Sequence, residues 1–214
     1  MKESIYAKFK PATCLPDCWC EMPRVGEYIL EPGNTWSNLA FIFCGVFITF
    51  FLKNIPNKKL ISFSFIFLGL GSFAFHATQT FIGQTLDVFA MYFIVAVFAF
   101  SLWKEKFDIP KFILFNISSL LLLWFIPGFR RWGFLLLVLF LIVMSIKKLK
   151  WNKYVGLSIA SMVVGQILWN LDRLKIICDP KFMYNGHFFW HIFSALSALL
   201  FVFNLQKNNQ LRNN

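Results

Sequence analysis

Apolar residues run along this chain in long blocks, and the charged residues fall between the blocks rather than within them. Seven blocks occupy residues 35–53, 60–79, 86–103, 112–127, 132–146, 154–174 and 186–205. Each is about 15 to 21 residues long, near the length that carries a helix across a hydrocarbon core. The pattern predicts an all-α fold, an integral membrane bundle of seven transmembrane helices. Pro127 and Gly128 end the fourth block, and FRRWG before the fifth reads either as a tight hairpin or as a break within a less regular unit. The other connections are short, so residues 35–205 form one domain, between an extramembrane segment 1–34 and a tail 206–214.

Composition supports this reading. The chain is 58% hydrophobic and 20% aromatic, with 29 Phe and 14% charged residues, more apolar surface than a soluble domain of this size needs. A net charge of +11 suggests nucleic acid until its placement is considered. Lys53, Lys58, Lys59, Lys104, Lys106, Lys111, Lys147, Lys148, Lys150, Lys153, Lys207 and Arg212 all fall in loops one, three and five or in the tail. The opposite side carries few cations, so the positive-inside rule places the C-terminus in the cytoplasm and the N-terminus outside, in a periplasm or an organelle lumen. The expected partners are the lipid bilayer and a lipid substrate, with neither nucleic acid nor an obligate protein partner implied. Met1 to Pro11 has no apolar core, so no signal peptide is expected. Cys14, Cys18, Cys20 and Cys178 fall on the outer side, where disulfides persist. Spacing does not say which of them pair, and Cys44 reads as a small packing residue.

An ionisable side chain within a span is costly and is by default a functional candidate. His76 closes the second span in GSFAFHATQT, with Ser72 one turn deeper on the same face. Asp87 opens the third span, and His187 and His191 open the seventh in GHFFWH. Alternating chain direction puts all five in one outer layer. The four-residue spacing sets His187 and His191 on one helix face, about 5 to 6 Å apart at Cβ, where two imidazoles can share a metal. His76 supplies a third nitrogen. Three such ligands leave tetrahedral zinc one open position, where a water ionises near neutral pH, which describes a hydrolase site. Ser194 and Ala198 continue the histidine stripe as small residues that let helices pack closely. A lone interfacial histidine is ordinarily an anchor; three converging, with no histidine elsewhere in the chain, are not explained that way.

Several residues read two ways. Ser72 alone is a serine back-bonded to its own helix, and Asp87 alone is a helix cap. Asp172 in WNLDR either orients a ligand histidine through its second ring nitrogen or pairs with Arg173 or Arg131. In the N-terminal segment Asp17, Glu21, Glu27, Glu31 and Asn34 offer oxygens for a hard cation such as calcium, while Asn34, Thr35 and Ser37 read equally as a cap before the first span.

The set CWCE, EPGNTWSNLAF, GSFAFH, GQTLD, WNLD followed by Cys178, and HFFWH resembles the alkaline ceramidase family, within the seven-span hydrolases and receptors that include the adiponectin and progestin receptors. The match in order and spacing covers both ends and most spans; the fourth and fifth spans contribute nothing to it. The resemblance implies a seven-helix bundle with zinc on His76, His187 and His191, a catalytic serine at Ser72 and a catalytic aspartate at Asp87. It implies calcium beside the zinc, held by Trp19, Glu21 and Glu31. This chain departs from the pattern there, with Pro23 where the family can use an asparagine and the aspartate displaced to Asp17. It also implies a Cys20–Cys178 disulfide that tethers the segment over the site. The expected activity is zinc-dependent hydrolysis of ceramide or a related N-acyl sphingoid lipid. The alternatives are a lipid receptor with structural zinc and a lipid ester hydrolase.

Overall fold

The computed structural model describes residues 4–16, 18–103, 107–149 and 151–213. Asp17, and Lys104, Lys106 and Lys150 of the basic loops, lie outside the described residues. The helices are α1 (Pro32–Ser37), α2 (Leu39–Phe51), α3 (Lys58–Thr78), α4 (Phe81–Trp103), α5 (Ile109–Phe125), α6 (Arg130–Lys148), α7 (Lys153–Arg173) and α8 (Gly186–Asn213), with a 3₁₀ turn at Pro127–Phe129. Six stretches are long and apolar enough to cross a membrane, with α1 and α2 together making the first, Pro32–Phe51. The shorter α5 completes a seven-helix membrane bundle.

Polar residues set the helix ends. Asn152 and Asp108 accept the backbone N–H groups of Tyr154 and Lys111 at the starts of α7 and α5, donors that have no partner within their own helix. Between the fourth and fifth blocks the chain makes a tight turn, because Pro127 cannot extend α5 and starts the short 3₁₀ helix instead. Two differences from the sequence expectation bear on the site. The third span was expected to open at Asp87; α4 begins at Phe81, so Asp87 lies in its second turn and caps nothing. In the first turns of α4, Gln84 and Thr85 take Arg130, from the start of α6, as a buried partner. At the other end of the chain, α8 continues through the expected tail to Asn213.

α7 and α8 pack through small residues, as helices do where lipid offers no hydrophobic gain. Ser158 and Ser197 exchange hydroxyl-to-carbonyl bonds of 2.8 Å, and Ser161 donates to the Phe193 carbonyl. Gly186 allows the closest approach: a Cβ there would stand 2.3 Å from the Leu168 carbonyl oxygen. That contact fixes where α8 starts, and with it the position of His187.

The N-terminal segment is laid over one end of the bundle. The N–H groups of Leu30, Glu31 and Ala12 donate to the carbonyls of Ala77, His76 and Gln79, acceptors that the end of α3 leaves without intrahelical partners. Two disulfides, Cys14–Cys18 and Cys20–Cys178, hold it further. The latter ties the segment to the α7–α8 connection.

Candidate metal centre

α3 and α8 bring His76, His187 and His191 to one point, all buried. One nitrogen from each lies within 4.8 Å of the other two. Nε2 of His76 and Nε2 of His187 are 3.2 Å apart, roughly the 3.3 Å at which two nitrogens share a tetrahedral ion at ~2.0–2.1 Å bond lengths. Outer partners fix which nitrogens face inward. His76 Nδ1 meets Glu31 Oε2 at 2.6 Å, and His191 Nδ1 meets Ser37 Oγ at 2.7 Å. A ring that spends Nδ1 on a carboxylate or hydroxyl presents Nε2 with its lone pair, the arrangement of metal-binding histidines. His187 Nδ1 has no partner among the described residues; the Trp19 indole covers that ring, stacked with centroids 3.7 Å apart. The three nitrogens fit a zinc-type ion and leave it a fourth position.

Ser72, on α3 one turn inward from His76, is buried, and its hydroxyl sits against the Asp87 carboxylate of α4. The structure thus gathers the histidines at one point and joins Ser72 to Asp87 beside them. Arg130, at the start of α6, faces Asp87 as its nearest opposite charge. Its buried guanidinium donates to Gln84, to Thr85 Oγ1 at 2.7 Å, to Thr13 and to the Leu123 carbonyl. It therefore joins α4, α5 and the N-terminal segment around the turn that precedes Asp87.

The acids of the N-terminal segment are arranged differently from the expectation. Glu21 accepts the N–H groups of Gly33 and Asn34 at 2.8 Å each, which caps α1 from a distance. Glu31 accepts from Gln79 Nε2 at 2.5 Å and Asn34 Nδ2 at 3.3 Å besides meeting His76. Burial pushes the Glu21 carboxyl up to about 7 against those backbone donors, and pushes Glu31 up to about 8 against Asn34 and Gln79. Every carboxylate oxygen of the two therefore already has a protein partner. Pro23 adds no side-chain oxygen, so a cation here would share the Glu21 and Glu31 oxygens with these donors. Asp172 corrects both of its expected roles. Its carboxylate accepts from the backbone N–H groups of Cys20 at 2.9 Å and His187 at 3.0 Å, because the first turn of α8 needs an acceptor. Arg131 and Arg173 lie over the Trp169 ring instead.

Sequence reasoning missed the roles of Ser37, Gln79 and Arg130, and it did not see Glu31 as the partner of His76. A buried arginine in FRRWG had no signal beyond charge, since its side-chain acceptors come from segments 45 to 117 residues away. Asn34, Thr35 and Ser37 of EPGNTWSN were visible and read as a cap, with Asn34 also read as an oxygen donor to a hard cation.

This architecture defines a multi-pass membrane protein whose helix bundle holds a buried trihistidine centre beside a serine–aspartate pair. Comparison with known proteins places it further. The ceramidase family profile matches residues 16–213, and the chain belongs to that family. It is 28% identical to the alkaline ceramidase of Drosophila melanogaster over 86% of this chain and 73% of that protein. It is 27% identical to alkaline ceramidase 3 of Mus musculus, over 90% of this chain and 82% of that one. Similarity to alkaline ceramidase 1 of Mus musculus reaches 32% identity over 44% of this chain, a stretch spanning only 37% of the relative.

Proposed function

We propose that this protein is a zinc-dependent amidase that works within the membrane and hydrolyses ceramide or a related N-acyl sphingoid lipid to a sphingoid base and a fatty acid. Three converging histidines, two of them backed through Nδ1 by Glu31 and Ser37, carry the reading, and the names of the relatives support the substrate class. Zinc held by His76, His187 and His191 supplies Lewis acidity, polarising a carbonyl and making water acidic near neutral pH. Asp87 takes the proton of the attacking water and delivers it to the leaving amine nitrogen. Ser72 donates its hydroxyl hydrogen to the developing oxyanion. Glu31 and Ser37 hold the His76 and His191 rings in register. Trp19, tethered through Cys20, roofs the centre and keeps bulk water from it. Calcium enters no step.

A mostly apolar cavity of about 340 Å³ between α4, α5 and α6, lined by Ala96, Ala99, Phe100 and Leu137 and also by Asp108 and Lys111 of the basic end, offers room for hydrocarbon in the half of the bundle away from the histidines. The basic residues at the opposite end support a position of the histidines in the outer leaflet. The test is mass spectrometry of products from a ceramide panel incubated with purified protein, with and without chelator, alongside metal analysis. The proposal expects fatty acid and sphingoid base in equal amounts, lost on chelation. A tightly retained lipid with no product would mark a receptor, and release from esters alone would mark an ester hydrolase.

A further inference from the structure

Neither the metal centre nor the proposed chemistry uses the guanidinium of Arg130, although it is buried at the histidine end of the bundle. A guanidinium is always charged, and burying one without a counter-charge is costly, above all within a membrane. The groups that take its hydrogen bonds are all neutral: the Gln84 amide oxygen, the Thr85 and Thr13 hydroxyls and the Leu123 carbonyl. The Phe81 ring lies 5.0 Å from it, and Nε, also buried, makes no hydrogen bond among the described residues. Hydrogen bonds are thus supplied, but these partners neutralise no charge. The counter-charge is Asp87, the carboxylate whose field acts on Arg130 as that of Arg130 acts on it.

Arg130 also grips α4 on both sides of that carboxylate. Its side chain holds Gln84 and Thr85, and Gln84, three residues before Asp87, is its neighbour on the helix surface. Its backbone carbonyl accepts from the Tyr92 hydroxyl at 3.2 Å, with Gly133 leaving room for that oxygen. Thr85 and Tyr92 stand two turns apart, about 10 Å along the axis, and Asp87 lies between them. Gln84 is held from a further side, since its side-chain oxygen also takes the Thr13 N–H and hydroxyl at 2.9 Å each. Asp87 itself is half-buried, with the Ser72 hydroxyl against it. Arg131, next in sequence, does neither of these things: it is exposed and lies over the Trp169 ring.

Building on the proposed amidase, we propose that Arg130 is a positioning residue for Asp87: its hydrogen bonds set the turn that carries Asp87, and its buried cation opposes the carboxylate that takes the proton of the attacking water. It acts through Asp87, not on the lipid or the metal. The reaction needs Asp87 as a carboxylate at the outset, and a permanent cation facing it is the charge partner that hydrocarbon surroundings withhold.

The test is a double-mutant cycle on the purified full chain: the natural protein, Arg130→Met, Asp87→Asn and the two together, with Arg130→Lys to keep the charge and Arg131→Met as a control. Ceramide turnover, bound metal and the midpoint of thermal unfolding are read on each. Arg130→Met should lower kcat by about 10-fold, a coupling typical of neighbours in one network, with KM and metal content little changed. Arg130→Lys should recover part of that loss, and Arg131→Met should match the natural protein. In the Asp87→Asn background Arg130→Met should slow turnover no further and should shift the unfolding midpoint less than it does alone, because the counter-charge is already gone. Unchanged kcat in Arg130→Met overturns the proposal. So does a loss that arrives with lost metal, or midpoint shifts that simply add, either of which would make Arg130 a strut of the fold. Should Arg130→Met not fold, Arg130→Gln takes its place in the cycle with the same expectations. Should the natural protein hydrolyse no lipid, the amidase reading fails by itself, and the midpoints still show whether Arg130 and Asp87 are coupled.

Discussion

At the end covered by the N-terminal segment, α1, α3, α4 and α8 meet through buried polar groups, among them His76 held by Glu31, His191 by Ser37, Glu21 by the first N–H groups of α1, and Asp172 by Cys20 and His187. Deeper in the bundle α3, α4 and α5 meet through rings instead, with Phe65 against Phe98 and Phe93 against Phe67 and Phe112. The two regions fail differently. Removing one member of a polar set leaves a buried group unpaired, whereas removing a ring leaves a cavity whose cost is graded. Function should therefore be brittle at the first region and tolerant at the second.

The largest effects on turnover are expected at the histidines. His76→Ala and His191→Ala should each lose bound metal and reduce fatty-acid release to background, read by metal analysis and product mass spectrometry on the same samples. Asp87→Asn should come next, slowing turnover by roughly 10²–10⁴-fold, as for loss of a general base, with metal content unchanged. Retained turnover in Asp87→Asn would remove that residue from the chemistry. Glu31→Ala deprives His76 of its Nδ1 acceptor, and a metal-competition titration should show affinity weakened by about 10–100-fold. Unchanged affinity would make Glu31 a packing acid. Cys178→Ser frees the segment that roofs the centre and should lower stability by about 2–5 kcal/mol in thermal unfolding, with metal still bound at low temperature. In the ring-packed region Phe65→Ala, at a fully buried position, should cost on the order of 3 kcal/mol and leave turnover per folded molecule unchanged. Phe63→Ala, exposed on the same helix, should change neither.

The same contrast explains what could be read in advance. Helix-forming blocks depend on local composition, so the seven helices and their order were legible, and the three histidines stood out because nothing else in a span is so costly. What was not legible depends on contacts between distant segments. Asp87 was placed at a helix start because the third apolar block begins at residue 86, but α4 starts at Phe81, where Arg130, from the start of α6, pairs with Gln84 and Thr85 in the interior. Asp172 was assigned to a ring nitrogen or an arginine, and the deciding fact is the close seating of α8 at Gly186. Glu31 was grouped with Glu21 by proximity in sequence, although its carboxylate turns to α3.

The central claim is that imidazoles from α3 and α8 share one ion. Metal content of the purified protein, combined with X-ray absorption at the metal edge, tests it most directly. The account predicts one zinc per chain with three nitrogen neighbours at ~2.0–2.1 Å, lost in His76→Ala. A protein without metal, or one that keeps its metal and its nitrogen shell in that variant, would contradict it.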